Sequence, residues 1–320
     1  MTVESHNFKG KGTAVCLIGA IRTDYFRQVV DSLASQVGDR AVYAFLDVPP
    51  DGNRIYQDEQ EGYFLNSIPN GHVVRQESHC GLGKQMIFAR QYAFDYKKHK
   101  RAFVLEDDLV LSEGYLDFCE NLMDWTDRNY DNVGIVQGWS ERGHNLANSS
   151  GIGPFEVAAC YDHFWGYLIN QDCWQKIKPL LEVYLYTFLY DIPIYAHRDH
   201  RGIMQWKGNV IQSMQGVREI YKEHNKMPFL DDDKIGREKT CSTVTGQDAV
   251  TLMSTYMNNI VRVAPVLGRG TYIGVDGEHY NRSIFDNFGF NDWTEYSTRD
   301  DATNKEFSRA NYSQIGIDVQ

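Results

Sequence analysis

The sequence predicts an α/β protein with a mostly parallel sheet flanked by helices. Two observations carry this. Short apolar runs alternate with helix-like stretches through the first half, at Ala14–Ile18, Ala41–Leu46, His72–Arg75 and Ala102–Leu105. The fourth run ends in three consecutive acids, Glu106-Asp107-Asp108, where open α/β sheets bind ligands, outside the carboxyl ends of their strands.

The elements follow in order. After the Ala14–Ile18 strand, Tyr25–Gln36 has helical periodicity. Ala41–Leu46 ends at Asp47 and the breaker Pro49-Pro50. His72–Arg75 is a third strand, and Lys84–Tyr96 a helix leading to the strand before the acids. A helix over Gly114–Met123 and a strand over Asn132–Val136 follow. In the second half, Phe164–Ile169 reads as a strand, Cys173–Tyr186 as a helix, Gly246–Met257 as a helix and Ile260–Val266 as a strand. Tyr195–Lys234 mixes His, Arg, Gly and Asp with little period and is expected to be an irregular excursion. One domain over residues 13–290 is the simplest organisation. It follows a polar extension over 1–12 and precedes a polar tail over 291–320. The domain divides into a regular first half of about 13–140 and a less regular second half of about 141–290.

The chain has 320 residues, is 42% hydrophobic and carries a net charge of −11. That charge argues against nucleic acid as a partner. An anionic substrate would need local basic residues or a metal. The six cysteines are scattered without zinc or Cys-x-x-Cys spacing and read as reduced thiols. The N-terminus lacks an apolar signal core, and no apolar run approaches ~18 residues. These predict a cytoplasmic protein without a transmembrane segment, touching any membrane-linked substrate peripherally or through a partner.

Adjacent carboxylates at a strand end suit a hard divalent cation, Mg²⁺ or Mn²⁺, that also holds substrate phosphates. The alternative is a solvated acidic loop. Other motifs fail. Gly81-Leu-Gly83-Lys84 has Ser78 and Gln85 where a Walker loop needs Gly and Ser/Thr. Gly151-Ile-Gly153 lacks its third glycine, and Asp231-Asp232-Asp233 lacks the closing Glu of a calcium loop.

Five segments in order resemble glycosyltransferases of the GT-A fold, with the nearest likeness to bacterial family-2-like sugar transferases and the N-acetylglucosaminyltransferase I group. They are Ala14–Arg22, Phe45–Asp47, Cys80–Lys84, Val104–Ser112, and a set formed by Trp165–Ile169, Gly246–Asp248 and Ile273–His279. The resemblance implies a GT-A sheet and a metal-dependent transfer of sugar from a nucleotide-diphosphate donor, UDP favoured, to a glycan or glycoconjugate hydroxyl. It implies Asp108 as the metal ligand, Asp107 at the ribose or a metal-bound water, and Glu106 orienting the site from behind. Asp47 would read uracil or ribose, its alternative being a turn or helix cap. Arg22 and Lys84 would approach nucleotide and diphosphate, the alternative for each being a surface charge. Gln91 stands where the acetylglucosaminyltransferase I group has a base-holding histidine. Asp248 would be the general base of an inverting transfer, its alternative a helix N-cap. Arg269 would clamp the diphosphate, and His279 would contact metal or phosphate. Trp139 and Trp165 would line the donor and acceptor sides, with core packing as the alternative. Two other functions compete: a sugar-phosphate nucleotidyltransferase, disfavoured by the short, weakly basic Gly19-Ala-Ile-Arg22, and an inactive carbohydrate-binding protein.

Overall fold

The structure, a computed structural model, describes residues 12–139, 153, 155–160, 164–224, 244–275, 282–287 and 307–309, with side chains in the longest helix described to 213. Its strands are β1 (Thr13–Gly19), β2 (Ala41–Leu46), β3 (His72–Arg75), β4 (Arg101–Glu106), β5 (Leu109–Leu111), β6 (Val133–Gln137), β7 (Glu156–Ala159), β8 (Tyr167–Asn170), β9 (Val261–Pro265), β10 (Gly270–Tyr272) and β11 (Ser308–Arg309). Its α-helices, in chain order, are α1 (Thr23–Ala34), α2 (Ile55–Ser67), α3 (Leu82–Arg90), α4 (Tyr115–Asn129), α5 (Gln171–Tyr184), α6 (His200–His224), α7 (Gln247–Met257) and α8 (Arg282–Asn287). Helices α3 and α5 continue as π-helical turns over Gln91–Tyr96 and Leu185–Leu189.

Nine strands form one sheet in the order β11-β7-β9-β6-β8-β4-β1-β2-β3. The half built from β3, β2, β1 and β4 is wholly parallel, whereas β8 runs antiparallel to both of its neighbours, β4 and β6. A separate antiparallel ribbon joins β5 to β10. The expected α/β architecture, a mostly parallel central sheet flanked by helices, is therefore present.

Burial on both faces explains why β1, β2 and β4 read as unbroken apolar runs. Alternation along each strand sends residues to two separate cores. Val15, Leu17, Phe103 and Leu105 pack with α1 and α4, through Phe26, Val30, Phe118 and Leu122. Ala14, Cys16, Ala102 and Val104 pack with α3, α5 and α7, through Met86, Trp174, Ile177, Val250 and Met253. By the same alternation Glu106 is directed to the α3–α5–α7 side.

One expectation needs correction, and two features add to the sequence reading. The region from Tyr195 to Lys234 is not an irregular excursion where it is described. A 3-10 turn at Tyr195–His197 leads into α6, and Asp199 accepts from the Gly202 amide at its start, 2.8 Å. Its buried stripe, Ile203, Trp206, Lys207, Val210 and Ile211, has helical spacing, but a lysine stands inside it. Lys207 is buried because its ammonium donates to the Val244 carbonyl at 2.7 Å. Second, the polar tail contributes to the sheet. Phe307 is buried against Phe118 and Phe155, and β11 pairs with β7. Third, α2 is a full helix that hydropathy did not reveal.

Helix α2 docks through amides. Gln57 Nε2 donates to the carbonyls of Leu46 (2.9 Å) and Gln76 (3.1 Å), and Gln60 Nε2 to that of Ala20 (2.8 Å). Both glutamines are fully buried, and they satisfy carbonyls at the ends of β1, β2 and β3 that a leucine could not. Five of the six cysteines, Cys16, Cys80, Cys119, Cys160 and Cys173, are buried free thiols. Among the described residues, no helix is long and apolar enough to cross a membrane.

The amide docking predicts that Gln57→Leu destabilises the protein by about 1–3 kcal/mol, because the Gln76 carbonyl loses the Gln57 donor and the Leu46 carbonyl is left with the Gln76 amide alone. The expected fall in Tm is ~2–8 °C. Glu59→Ala, on the exposed side of the same helix, serves as the control. Equal melting temperatures for the two variants in a thermal denaturation series would contradict this account.

Candidate functional site

The site is built at the carboxyl end of β4. Strand pairing sets Ile18 of β1 opposite Glu106, so the segment that follows β1 lies beside the acids. That segment carries Arg22, immediately before α1. Its guanidinium forks across two carboxylates: Nη1 donates to Asp108 Oδ2 at 2.9 Å, and Nη2 donates to Asp107 Oδ1. Arg22 also lies over the Tyr25 ring at 5.5 Å. An arginine suits this place because its fork offers parallel donors in fixed geometry.

All three acids are buried, at 7%, 3% and 5% exposure for Glu106, Asp107 and Asp108. Burial penalises the charged form and raises all three above the ordinary carboxylate range. For Asp107 the result is about 7; burial dominates and Asp108 adds to it, while Arg22 and the Ala20 amide oppose it. Glu106 is raised well above the usual value by burial, then by the charges of Asp108 and Asp248, with Arg22 opposing. Asp108 is raised by burial and held down by Arg22.

The influence of Asp248 on Glu106 brings the start of α7 into the same cluster. Asp248 lies in the first turn of α7, where a carboxylate also favours the helix. The structure therefore gathers Arg22, Glu106, Asp107, Asp108 and Asp248. Two oxygens stand out. Asp107 Oδ2 and Asp108 Oδ1 are buried and have no hydrogen-bond partner among the described residues. A buried carboxylate oxygen without a partner is costly, and a hard cation with a preference for oxygen would satisfy both. No group of three or more His, Cys, Asp or Glu ligands occurs among the described residues. Two carboxylates still fit Mg²⁺ or Mn²⁺, which complete their shells with waters and substrate phosphates.

A ribbon and an aromatic wall hold the far side of Asp108. The Ile273 amide donates to the Asp108 carbonyl at 2.8 Å, which lays residues 273–275 over the acids. Tyr272, just before them, stacks on Trp165 at 3.9 Å and 4°, and Trp165 meets Trp139 at 4.6 Å. The Tyr272 hydroxyl donates to the Gly274 carbonyl at 3.2 Å.

Four sequence-selected residues stand elsewhere. Asp47 accepts from the amides of Cys80 and Gly81, both at 2.8 Å, and from Val48 at 2.9 Å. It is the turn cap, pinning the loop before α3, where Gly81 takes a φ of +71° that favours glycine. Lys84 donates to the Tyr190 carbonyl at 3.0 Å and lies 4.6 Å over the Tyr190 ring, so its contacts are not with the acids. Trp139 is fully buried in the core, behind the site. Arg269 is 1% exposed, and its guanidinium lies 3.8 Å over the Phe118 ring. Gln91 donates to Glu182 of α5 at 3.2 Å. His279, with Asp276–Glu278, Gly151 and the Asp231–Asp233 run lie outside the described residues, as does Cys241.

Sequence reasoning missed Arg90. It is fully buried, and its donors reach Tyr167 Oη (2.7 Å), Gln247 Oε1 (3.1 Å) and Thr251 Oγ1 (3.3 Å). The signal was its register. Arg90 falls on the apolar stripe of Met86, Ile87, Ala93 and Phe94, where an arginine has no place unless it is held by acceptors.

The clustered acids have a consequence for stability. Glu106 binds a proton more tightly folded than unfolded. That proton therefore favours the folded chain fully below the ordinary glutamate range, and the contribution fades as pH rises through the raised value. Asp107 behaves alike, its contribution falling from the ordinary aspartate range upward and lost once pH passes about 7. Metal-free Glu106→Gln should match the wild type near pH 4.5, then gain stability relative to it as pH rises to 8, with Tm higher by several degrees. Parallel Tm–pH curves for the two proteins would refute the clustering.

No family model and no curated protein matches the chain. Among solved structures it is similar to a mannosyltransferase from Pyrobaculum calidifontis in complex with GDP-Man and Mn²⁺, at 12% identity and a TM-score of 0.34, covering 51% of this chain and 46% of that one. It is similar to the glycosyltransferase GlyE of Streptococcus pneumoniae at 16% identity and a TM-score of 0.30, over 55% and 40% of the two chains. It is also similar to the galactosyltransferase LgtC in complex with donor and acceptor sugar analogs, at 13% identity and a TM-score of 0.33, over 58% and 67%. The chain thus spans less than half the length of the first two structures.

Proposed function

We propose that the protein is a metal-dependent glycosyltransferase that moves a sugar from a nucleotide-diphosphate donor to a hydroxyl of a glycan or glycoconjugate, with inversion. The observation that carries this reading is the pair of buried oxygens on Asp107 and Asp108, without a partner among the described residues, at the carboxyl end of a parallel strand beside Arg22. The five motif segments support it, since Arg22, the three acids and Asp248 come from three of them and meet in one place.

Asp107 and Asp108 are the residues that would hold a Mg²⁺ or Mn²⁺ ion. Bound there, the ion supplies positive charge for a departing diphosphate. Arg22, the cation at the acids and partly exposed, is placed to turn its fork from the carboxylates to phosphate oxygens. Buried and directed to the α7 side, Glu106 orients the site from behind. Asp248 takes the proton from the attacking hydroxyl as the new bond to the anomeric carbon forms and the bond to the diphosphate breaks. The aromatic wall and residues 273–275 fix Asp108 from the other side. UDP is the favoured nucleotide on the family resemblance; Asp47, committed to the turn before α3, contributes no free acceptor for the base.

The test is turnover of nucleotide sugars in Mn²⁺, read as nucleotide release. Asp248→Asn should bind donor normally and lose about 10²–10⁴-fold in rate. Asp108→Ala should lose Mn²⁺-dependent donor binding itself. Wild-type turnover in Asp248→Asn would remove the base from this reading. Metal-dependent donor binding that survives Asp108→Ala would remove the metal site.

A further inference from the structure

Arg90 presents a problem of buried charge. A guanidinium is always protonated, and taking it fully out of water costs several kcal/mol unless it is compensated. Arg90 is fully buried, yet its three hydrogen-bond acceptors, on Tyr167, Gln247 and Thr251, are all neutral. The nearest negative charges lie one step further. Asp248 and Glu106 both act electrostatically on Tyr167, the residue that Arg90 Nε holds.

Gln247 is the step between. An arginine has only donors, so the oxygen of the Gln247 amide must face it. The amide nitrogen then faces the other way, and there it donates to Asp248 Oδ1. The assignment of oxygen and nitrogen is thus dictated by the network. Thr251 Oγ1, one turn along α7, donates to the Gln247 carbonyl at 2.8 Å and fixes the start of the helix. Gln247 is 6% exposed, so this orientation is not shared with solvent.

We infer that Arg90 and Gln247 are positioning residues, a buried relay that presents an N–H to Asp248 and holds its carboxylate aimed toward Glu106. The inference rests on the reading of Asp248 as general base. In that reading Asp248 must carry its charge near the buried Glu106 carboxylate, and a donor locked in place by Arg90 favours the charged form. The relay also explains why a glutamine opens α7. A glutamate there would pair with Arg90 but would offer Asp248 no hydrogen.

That contrast is the experiment. Gln247→Glu keeps an acceptor for Arg90, so the fold keeps its buried partner, and it replaces the donor toward Asp248 by a like charge. Gln247→Met removes both contacts at similar volume, and Arg90→Lys keeps the charge with fewer donors. Each is assayed with UDP-, GDP-, dTDP- and CMP-sugars in Mn²⁺, donor binding by thermal shift and turnover by nucleotide release. The relay predicts donor binding and KM unchanged in Gln247→Glu, with kcat lower by about 10–100-fold, the scale of one hydrogen bond to a charged group. Gln247→Met should fall similarly, and Arg90→Lys less. Gln247→Glu turning over within about 3-fold of wild type, while Asp248→Asn is inactive, overturns the relay and leaves the base intact. An active Asp248→Asn, or a wild type that turns over none of the sugars, removes the general-base reading and the relay with it.

Discussion

Everything around the end of β4 follows from burying carboxylates that repel one another. Glu106, Asp107 and Asp108 are almost out of solvent, and Asp248 is near enough to raise Glu106 further. Each ionised acid in such a place costs free energy unless charge or hydrogen bonds offset it. One arginine, Arg22, meets two of them, and two oxygens are left without a partner among the described residues. A fold seeking only stability would not keep this arrangement, and sites that violate local rules are where function is stored.

The parity of β4 divides the work. Ala102 and Val104 face the α3–α5–α7 core while Phe103 and Leu105 face the α1–α4 core. The strand therefore delivers Glu106 to the first side, toward α7, and the turn after it delivers Asp107 and Asp108 to Arg22 beside α1. Tyr167 of β8 and the start of α7 hold Arg90, the last residue of α3, on the first side. On the second, the β5–β10 ribbon and the Trp165–Tyr272 stack carry residues 273–275 across Asp108. Two layers of the same sandwich thus meet at one strand end, each supplying a different kind of support.

The parts legible in the sequence were those driven by apolar burial. The strands at Ala41–Leu46 and His72–Arg75 were read with their observed bounds, the first because a doubly covered strand is a continuous apolar run. The acids were legible because nothing apolar explains three of them at a strand end. Elements held by polar side chains were not. Helix α2 docks by Gln57 and Gln60, and α6 buries Lys207 in its apolar stripe, so neither shows a clean period. Charges satisfied out of sight are equally hard to read: Asp47 accepts from the amides of a turn, Arg269 stacks on Phe118, and Arg90, held by neutral acceptors, drew no reading from the sequence. A sequence shows which groups are present; whether a charge meets substrate or backbone depends on the segment folded against it.

The central claim is that the Asp107–Asp108 pair is a cation site serving a nucleotide-linked sugar. The most direct measurement is a thermal-shift panel of UDP-, GDP-, dTDP- and CMP-sugars, each with and without Mn²⁺. A ligand that binds only the folded state raises apparent stability. The account predicts a rise in Tm for one nucleotide class that requires Mn²⁺. No nucleotide sugar shifting the Tm, or a shift indifferent to Mn²⁺, would contradict it.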